Sequence, residues 1–500
     1  MTHLLGRDTR SDRMTRRRLL AGTVATSLVA SLMSGTAFAQ AVDVSQWSPE
    51  YVQSIAGTAT YDTAADCGAV VPNDYTGRVS YWYTGPFEAD PQIAHEQDAA
   101  FWEAFKAAYP NIETDVQSIT YNELLDKFRT TLLGNAAPMV VRLQILGGVE
   151  FAAKGYLKPL KPEDVGYSSA DFWPGALKSV TYDGVGYGIP TNNETMGFIW
   201  NAKIFEDAGL DPEKAPETWN DVVAYSKQIH DNLGIAGYGL VAKQNAGNTP
   251  FRFMPQLWAF GGGALDEAAP TPGYQDVWIN NEGSKAALQA AYQMYVVDKS
   301  VPTSALTNTQ AENQAPFIAG QLAMMIAHPA EYARMTDLAS KATGADKEKA
   351  DEVVANMRYG LIPAGPDRRA VVFGGSNIHV VNPEYVEGGQ SDEQAVKALI
   401  CMWTSPEWST KLAWVGSNPG HLGGFKTEWM RERLDTIKFL DVTTSMLPNG
   451  IPFPVIPEAP EIMNIIVPDM MQNVLTGAMT VDQATEDAAQ KIQSIVGGGI

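Results

Sequence analysis

Five hundred residues exceed what one hydrophobic core organises, so two or more domains are expected. With 45% apolar and 19% charged residues the composition is that of a folded globular protein rather than a disordered one. The net charge of −21 at pH 7 argues against nucleic acid as a partner, because that binding needs clustered Lys and Arg.

The first predicted element is a leader. Thr15-Arg16-Arg17-Arg18-Leu19-Leu20 opens a mildly apolar stretch that runs to about Gly35, and Ala37-Phe38-Ala39 closes it with small residues. A basic start, a short apolar run and an A-x-A end make residues 1–39 a signal peptide, and the paired arginines point to the twin-arginine export route. The apolar run is shorter than the ~20 residues that span a bilayer. Without the leader, 30 basic and 55 acidic residues remain, a net charge of −25. That charge suits a protein that stays dispersed in solution.

Residues 40–76 form an N-terminal extension without a clear period, expected to wrap the surface or stay partly mobile. It holds Cys67; the other cysteine, Cys401, lies in the apolar run Ala398-Leu399-Ile400-Cys401-Met402-Trp403. An exported protein can form a disulfide. Across so much intervening chain, however, a buried free Cys401 is the expectation. Neither cysteine directly follows the leader, so no lipid anchor is expected there and the mature chain should diffuse freely.

Order begins at Arg78-Val79-Ser80-Tyr81-Trp82-Tyr83, an alternating strand ended by Thr84-Gly85-Pro86. A helix follows with Phe101, Trp102, Phe105 and Ala108 at near-helical spacing, stopped by Pro110. Thr120-x-x-Glu123 reads as a capping box for a helix burying Leu124, Phe128 and Leu132. Met139-Val140-Val141-Arg142-Leu143 is an apolar strand left through Gln144 and a glycine pair. Strand, helix, helix, strand is the order of a sheet with crossover helices, which predicts an α/β fold. Asp183-Gly184-Val185-Gly186-Tyr187-Gly188 reads as a hairpin turn and departs from the dinucleotide fingerprint. Thr218-Trp219-Asn220-Asp221 starts a helix, Gly237–Val241 resembles a strand, and a helix ending in Trp258 and Phe260 runs into Gly261-Gly262-Gly263. Ser405-Pro406 and Thr480-x-x-Gln483 cap two later helices.

No H-E-x-x-H, Cys-x-x-Cys, Walker loop or Gly-x-Ser-x-Gly occurs, so neither an enzyme, a cofactor nor a metal site is expected. What recurs is aromatic and amide residues beside glycine-rich loop ends, with Trp82, Tyr83, Gln144, Asn193, Trp258, Ser376 and Asn377 all at predicted strand or helix termini. A neutral sugar needs flat aromatics for its C–H face and bidentate amide or carboxylate partners for its hydroxyls. The alternative, that each Trp is simply core, stays open.

Several segments carry a family likeness in fixed order: Val79-Ser80-Tyr81-Trp82, Ala137-Pro138-Met139-Val140-Val141, Phe151 to Leu160, Tyr182-Asp183-Gly184, Asn192-Asn193-Glu194-Thr195 and Trp200 to Phe205. Pro216-Glu217-Thr218-Trp219, Phe317 to Ile326, Leu361 to Pro366, Gly374-Gly375-Ser376-Asn377 and Thr404 to Glu407 continue it. Over roughly residues 78–496 the chain resembles the extracellular solute-binding proteins of carbohydrate ABC importers, relatives of the maltose-binding protein. The resemblance implies two α/β lobes of the periplasmic-binding-protein type, joined by hinge strands, with a ligand cleft between them. It places residues 77–190 and 320–374 in the first lobe and 191–319 and 375–500 in the second. Crossings are expected near Pro190–Glu194, Ala319 and Gly374. It also implies a periplasmic, monomeric receptor that hands a sugar or sugar derivative to the permease subunits of an ABC importer.

The ligand-binding residues it suggests are Tyr83, Thr84, Gln144, Asn193, Glu194, Trp258, Gly262, Ser376 and Asn377. Where many relatives have Gly-Pro-Trp, this chain has Ala327-His328-Pro329, and Ser417 to Leu422 also departs from the usual turn. His328 and His421 are therefore added as candidates for a polar or anionic substituent, against the alternative that each is an ordinary hydrogen-bonded histidine. A polyamine, peptide or metal complex on the same fold is the second reading. A glycoside hydrolase, which needs two opposed carboxylates, is a remote third.

Overall fold

The computed structural model describes residues 66–496 apart from 87–89, 245–246, 267–275 and 414–415, all within one compact unit, Ala39–Ile500. The leader and most of the N-terminal extension lie outside the described residues.

The alternation Val79, Tyr81, Tyr83 buries one face of β1 (Gly77–Tyr83). Helix α1 (Gln92–Ala108) puts Phe101 and Phe105 on its covered side. The chain then returns as β2 (Ile112–Ser118), parallel to β1 along seven residue pairs. Helix α2 (Tyr121–Leu133) buries Leu124, Phe128 and Leu132 and leads to β3 (Val140–Gln144), parallel to β1 on its other side. At the start of α2 the Thr120 hydroxyl donates to Glu123 Oε2 at 2.7 Å instead of accepting a backbone N–H, so the predicted capping box is not formed. The glycine-rich stretch makes the expected hairpin, with Asp183 and Gly184 both at positive φ.

Strand β4 (Ile189–Glu194) belongs to the first sheet and β5 (Gly197–Asn201) to a second; only Thr195 and Met196 separate them. Helix α3 (Trp219–Leu233) starts in a full capping box between Thr218 and Asp221. Strand β6 (Ala236–Tyr238) and α4 (Asn248–Ala259) follow. Strand β7 (Leu322–Ala327) is buried at all six positions, as a strand covered on both faces must be. It lies between β5 and β6, with α5 (Pro329–Lys341) after it and β8 (Met357–Gly360) on the far side of β5. The second sheet thus has the order β8-β5-β7-β6.

The chain recrosses at Phe373 into β9 (Gly374–Val380), which runs antiparallel between β3 and β4. Helix α6 (Glu393–Trp403) packs in the first lobe, and β10 (Asn418–Pro419) adds to the edge beside β4, giving the order β10-β4-β9-β3-β1-β2. A third crossing follows, because residues from Leu422 to Val496 join the second lobe's core. The expected lobe division is corrected here. Residues 322–360 complete the second sheet, while 374–380 sit inside the first. Ala319 lies in the turn between the helix Ala311–Ile318 and β7, within the second lobe, and is no crossing.

The cysteine expectation is also corrected: Cys67 and Cys401 form a disulfide, with Cα atoms 5.8 Å apart. The short helix Cys67–Val70 folds back onto α6, so distance along the chain is no obstacle. Tyr109 donates to the Cys67 carbonyl at 3.0 Å and Tyr167 to the Cys401 carbonyl at 2.8 Å, which fixes both ends. Such a bond belongs to an oxidising compartment.

Candidate functional site: the interlobe cleft

Strand ends β3, β4 and β9 meet the start of α5 and of α4 around a cleft of about 670 Å³. Arg142, an outlier in an apolar strand, is its best-organised group. Its Nε donates to Thr191 Oγ1 at 2.9 Å, one terminal nitrogen to the Thr84 carbonyl at 3.2 Å and the other to Asn192 Oδ1 at 2.6 Å. The Thr191 hydroxyl in turn donates a hydrogen bond to the Ser376 carbonyl at 2.8 Å, tying the cradle to β9. Burial lowers the Arg142 pKa, against the pull of nearby anionic groups.

Glu194 closes β4 at the first crossing. Burial alone would raise its pKa, but His328, Ser417 and Arg142 outweigh it and hold the carboxyl below its ordinary value. Ser417 Oγ donates to Glu194 Oε2 at 3.0 Å, and His328 Nε2 lies 3.3 Å from the same oxygen. His328 is also the N-cap of α5: its Nδ1 accepts the Ala330 N–H at 3.1 Å. That bond assigns the neutral ring's proton to Nε2, the nitrogen facing Glu194.

Two ion pairs frame the cleft. Arg252 and Glu331, both buried, pair within the second lobe, and burial raises the Glu331 pKa despite that partner. Arg334 of α5 meets Asp90 of the first lobe at 2.8 Å, a contact from lobe to lobe. On the first-lobe wall the Tyr83 hydroxyl donates to both Asp98 oxygens, at 2.9 and 2.8 Å. Burial, then Asp98, raises the Tyr83 pKa, and burial raises that of Asp98.

Of the residues suggested by sequence, Tyr83, Thr84, Gln144, Glu194, His328 and Ser376 line this cleft. The other five are placed elsewhere. Asn193 alternates away from Asn192 and Glu194 and donates to the Pro419 carbonyl at 3.0 Å, pinning β10. Asn377 is buried and donates to Ser179 Oγ at 3.3 Å. Trp258 is 2% exposed in the second lobe's core, because α4 is buried around its whole circumference. Gly262 packs against Ser284. His421 is buried between Tyr167 and Phe172, caps a short 3₁₀ turn through Nδ1, and has its pKa pushed down to about 4 by burial. Trp82 is likewise buried, with Lys127 Nζ 4.5 Å from its ring centroid.

Sequence reasoning missed Arg142, Asn192, Asp90 and Arg334. A charge inside Val140-Val141-Arg142-Leu143 was the available signal. Among the described residues no cluster of three His, Cys, Asp or Glu could hold a metal, and no helix is long and apolar enough to cross a membrane.

The sequence profile of the bacterial extracellular solute-binding proteins matches residues 90–409. The chain belongs to this family. A binding protein of Brucella abortus is 25% identical over 408 residues, 79% of this chain and 88% of that one. The GacH receptor of Streptomyces glaucescens has a similar fold, with a TM-score of 0.70 at 21% identity over 85% of this chain and all of that one. So does UgpB of Mycobacterium tuberculosis, with a TM-score of 0.67 at 19% identity over 85% and 99%. The fold is therefore that of the two-lobed solute-binding proteins, and the molecule is a receptor for a small solute that serves an ABC importer, not an enzyme. As in the rest of the family, its place of work is outside the cytoplasmic membrane.

Proposed function

We propose that this receptor captures a sugar or sugar derivative in the interlobe cleft, and that Tyr83, Thr84, Gln144, Glu194, His328 and Ser376 contact it. The observation that carries this reading is the chemistry of the wall. Hydroxyls, amides and carbonyls of the first lobe (Thr84, Gln144, Thr191, Asn192, Ser376) face Asn248, Thr309 and Gln310 of the second across one cavity. A solute with many hydroxyls, each both donor and acceptor, is the natural complement to such a surface. The two similar receptors were solved with acarbose and with glycerophosphocholine respectively, which agrees with a small polar solute here. Aromatic cover is modest: Tyr83, Phe251 and Trp403 contribute mostly buried rings. A polyamine fits less well, because the cleft carboxylates already hold protein donors.

Export by the twin-arginine route, a soluble periplasmic life without a lipid anchor, a monomeric state and delivery to permease subunits complete the proposal. The test is thermal unfolding of residues 40–500 with monosaccharides, disaccharides, sugar acids, polyols, polyamines and short peptides. A ligand at 100 times its Kd adds about 2.7 kcal/mol, a shift of a few degrees in a chain of this size. Stabilisation by a sugar or its derivative is the expected outcome; stabilisation by a polyamine or peptide alone would overturn the substrate class.

A further inference from the structure

The charges around the cleft are not balanced evenly. Each of the six carboxylates that line it already has a donor from the protein. Glu331 is paired with Arg252 and Asp90 with Arg334. Asp98 takes the Tyr83 hydroxyl, Glu123 the Thr120 hydroxyl and Glu194 the Ser417 hydroxyl. Glu312 accepts both the N–H and the hydroxyl of Thr309 at 2.6 and 2.7 Å.

Arg142 is the exception among the cleft's arginines. All three of its hydrogen bonds go to neutral acceptors, and among the described residues no carboxylate lies within ion-pair distance of it. Three of its five N–H donors are used, which leaves two for a ligand. The opposite wall offers Lys243, exposed and likewise without an ion-pair partner among the described residues. A guanidinium recessed from solvent, with the Glu194 and Asp98 carboxylates near it but making no direct ion pair, keeps part of its electrostatic demand unmet. Its planar fork is matched by two oxygens of one anionic group. The cradle around it is rigid: Thr191 is anchored to β9, and Asn192 lies where β4 pairs with both β9 and β10. Such rigidity is what a preorganised recognition group requires.

We infer that the solute carries an oxyanion, a carboxylate or a phosphate, which Arg142 binds at the floor of the cleft and Lys243 meets from the opposite lobe. This rests on the sugar-derivative reading and narrows it to acidic or phosphorylated members of that class. Charge would then discriminate as well as shape. The neutral parent sugar leaves Arg142 without a directly paired anion in a closed cleft, so it should bind less tightly than its anionic derivative.

The experiment uses the chain from residue 40 to 500 and isothermal titration with glucuronate, glucose 6-phosphate, glycerol 3-phosphate and inorganic phosphate. Neutral glucose and glycerol are the references. At least one anionic probe should bind ten-fold or more tightly than its neutral parent, and the carboxylate and phosphate arms tell the two sources apart. Arg142→Gln should remove that preference, Arg142→Lys should keep part of it, and raised salt should weaken only the anionic probes. Should Arg142→Gln fail to fold, the exposed Lys243→Ala variant reads the same effect, a several-fold loss confined to anionic probes. Equal affinity for neutral and anionic probes would overturn the oxyanion site and leave the sugar reading standing. An equal loss for both classes in Arg142→Gln would make Arg142 a structural brace. Silence from every probe, neutral and anionic, would count against both readings together.

Discussion

His379 shows how a single buried side chain sets a pH limit on the receptor. It lies on β9 with no exposure, its Nδ1–H donating to the Tyr187 carbonyl at 2.7 Å, and burial pushes its pKa down to about 4. In the unfolded chain it titrates at its ordinary value near 6.5. Between pH 6.5 and 4 the unfolded state therefore binds the proton that the folded state refuses, and stability falls as the pH falls through that window. The loss attributable to this ring is about 3 kcal/mol when complete. His421, also lowered to about 4, adds to it in the same direction. Urea unfolding of His379→Asn, whose amide can still donate to Tyr187, should be less sensitive to pH between 6.5 and 4.5 than the parent. An unchanged slope would show that this ring does not govern acid stability.

Elements transmit such local facts to the cleft. Strand β9 carries Gly375 at a φ of +139°, beside a register shift between Ser376 and Asn377. A Cβ there would collide with the carbonyl oxygen of Asn192, the residue that holds Arg142. Gly375→Ala should cost about 1–3 kcal/mol of stability and weaken solute binding as well, measured by thermal unfolding and titration. A loss of stability without a loss of affinity would separate the bulge from the site. The disulfide acts between elements, fastening the helix Cys67–Val70 to α6. Reduction, or Cys67→Ser, should lower stability by about 2–4 kcal/mol and speed amide exchange in 67–71 while sparing the cleft. Exchange that stays slow would mean that Tyr109 and Tyr167 hold this corner without it.

Much at this scale was legible in advance. Thr218, Ser405 and Thr480 cap helices where the sequence places them, because a cap is a local contact between residues two or three positions apart. The α/β alternation followed from periodicity for the same reason. The disulfide, the membership of β7 and β9, and the burial of Trp258 depend on partners far away along the chain, which no local pattern encodes. At the site, Ser376 is legible as a loop-end residue and Glu194 through the family resemblance, whereas Asn193 and Asn377 point the other way along the same strands. A strand's alternation tells that residues differ in direction, but the facing partner decides which direction is the cleft.

At the scale of the whole molecule, the two sheets are joined by short crossings at 194–197, 373–374 and 419–422, the arrangement in which a hinge motion opens and closes a cleft. Across that cleft Arg334 and Asp90 make a direct bond between lobes. Arg334→Ala should release it, raise the population of open molecules and weaken solute binding, since closure then receives less support from the protein itself. Small-angle scattering would read the first effect as a larger radius of gyration without ligand. An identical radius would mean that closure does not depend on this pair.

The claim that joins these scales is that the lobes close on a solute held between them, and the most direct measurement is the distance between the lobes. Spin labels on cysteines introduced at Leu133 and Val297, both well exposed and on opposite lobes, leave the native disulfide intact. Pulsed electron–electron resonance would then be recorded without ligand and with the solute that most raises the unfolding temperature. Closure around the solute predicts a broad distribution that narrows and moves to one closed distance at saturation, and moves back in Arg334→Ala. A distribution unchanged by saturating solute would contradict it.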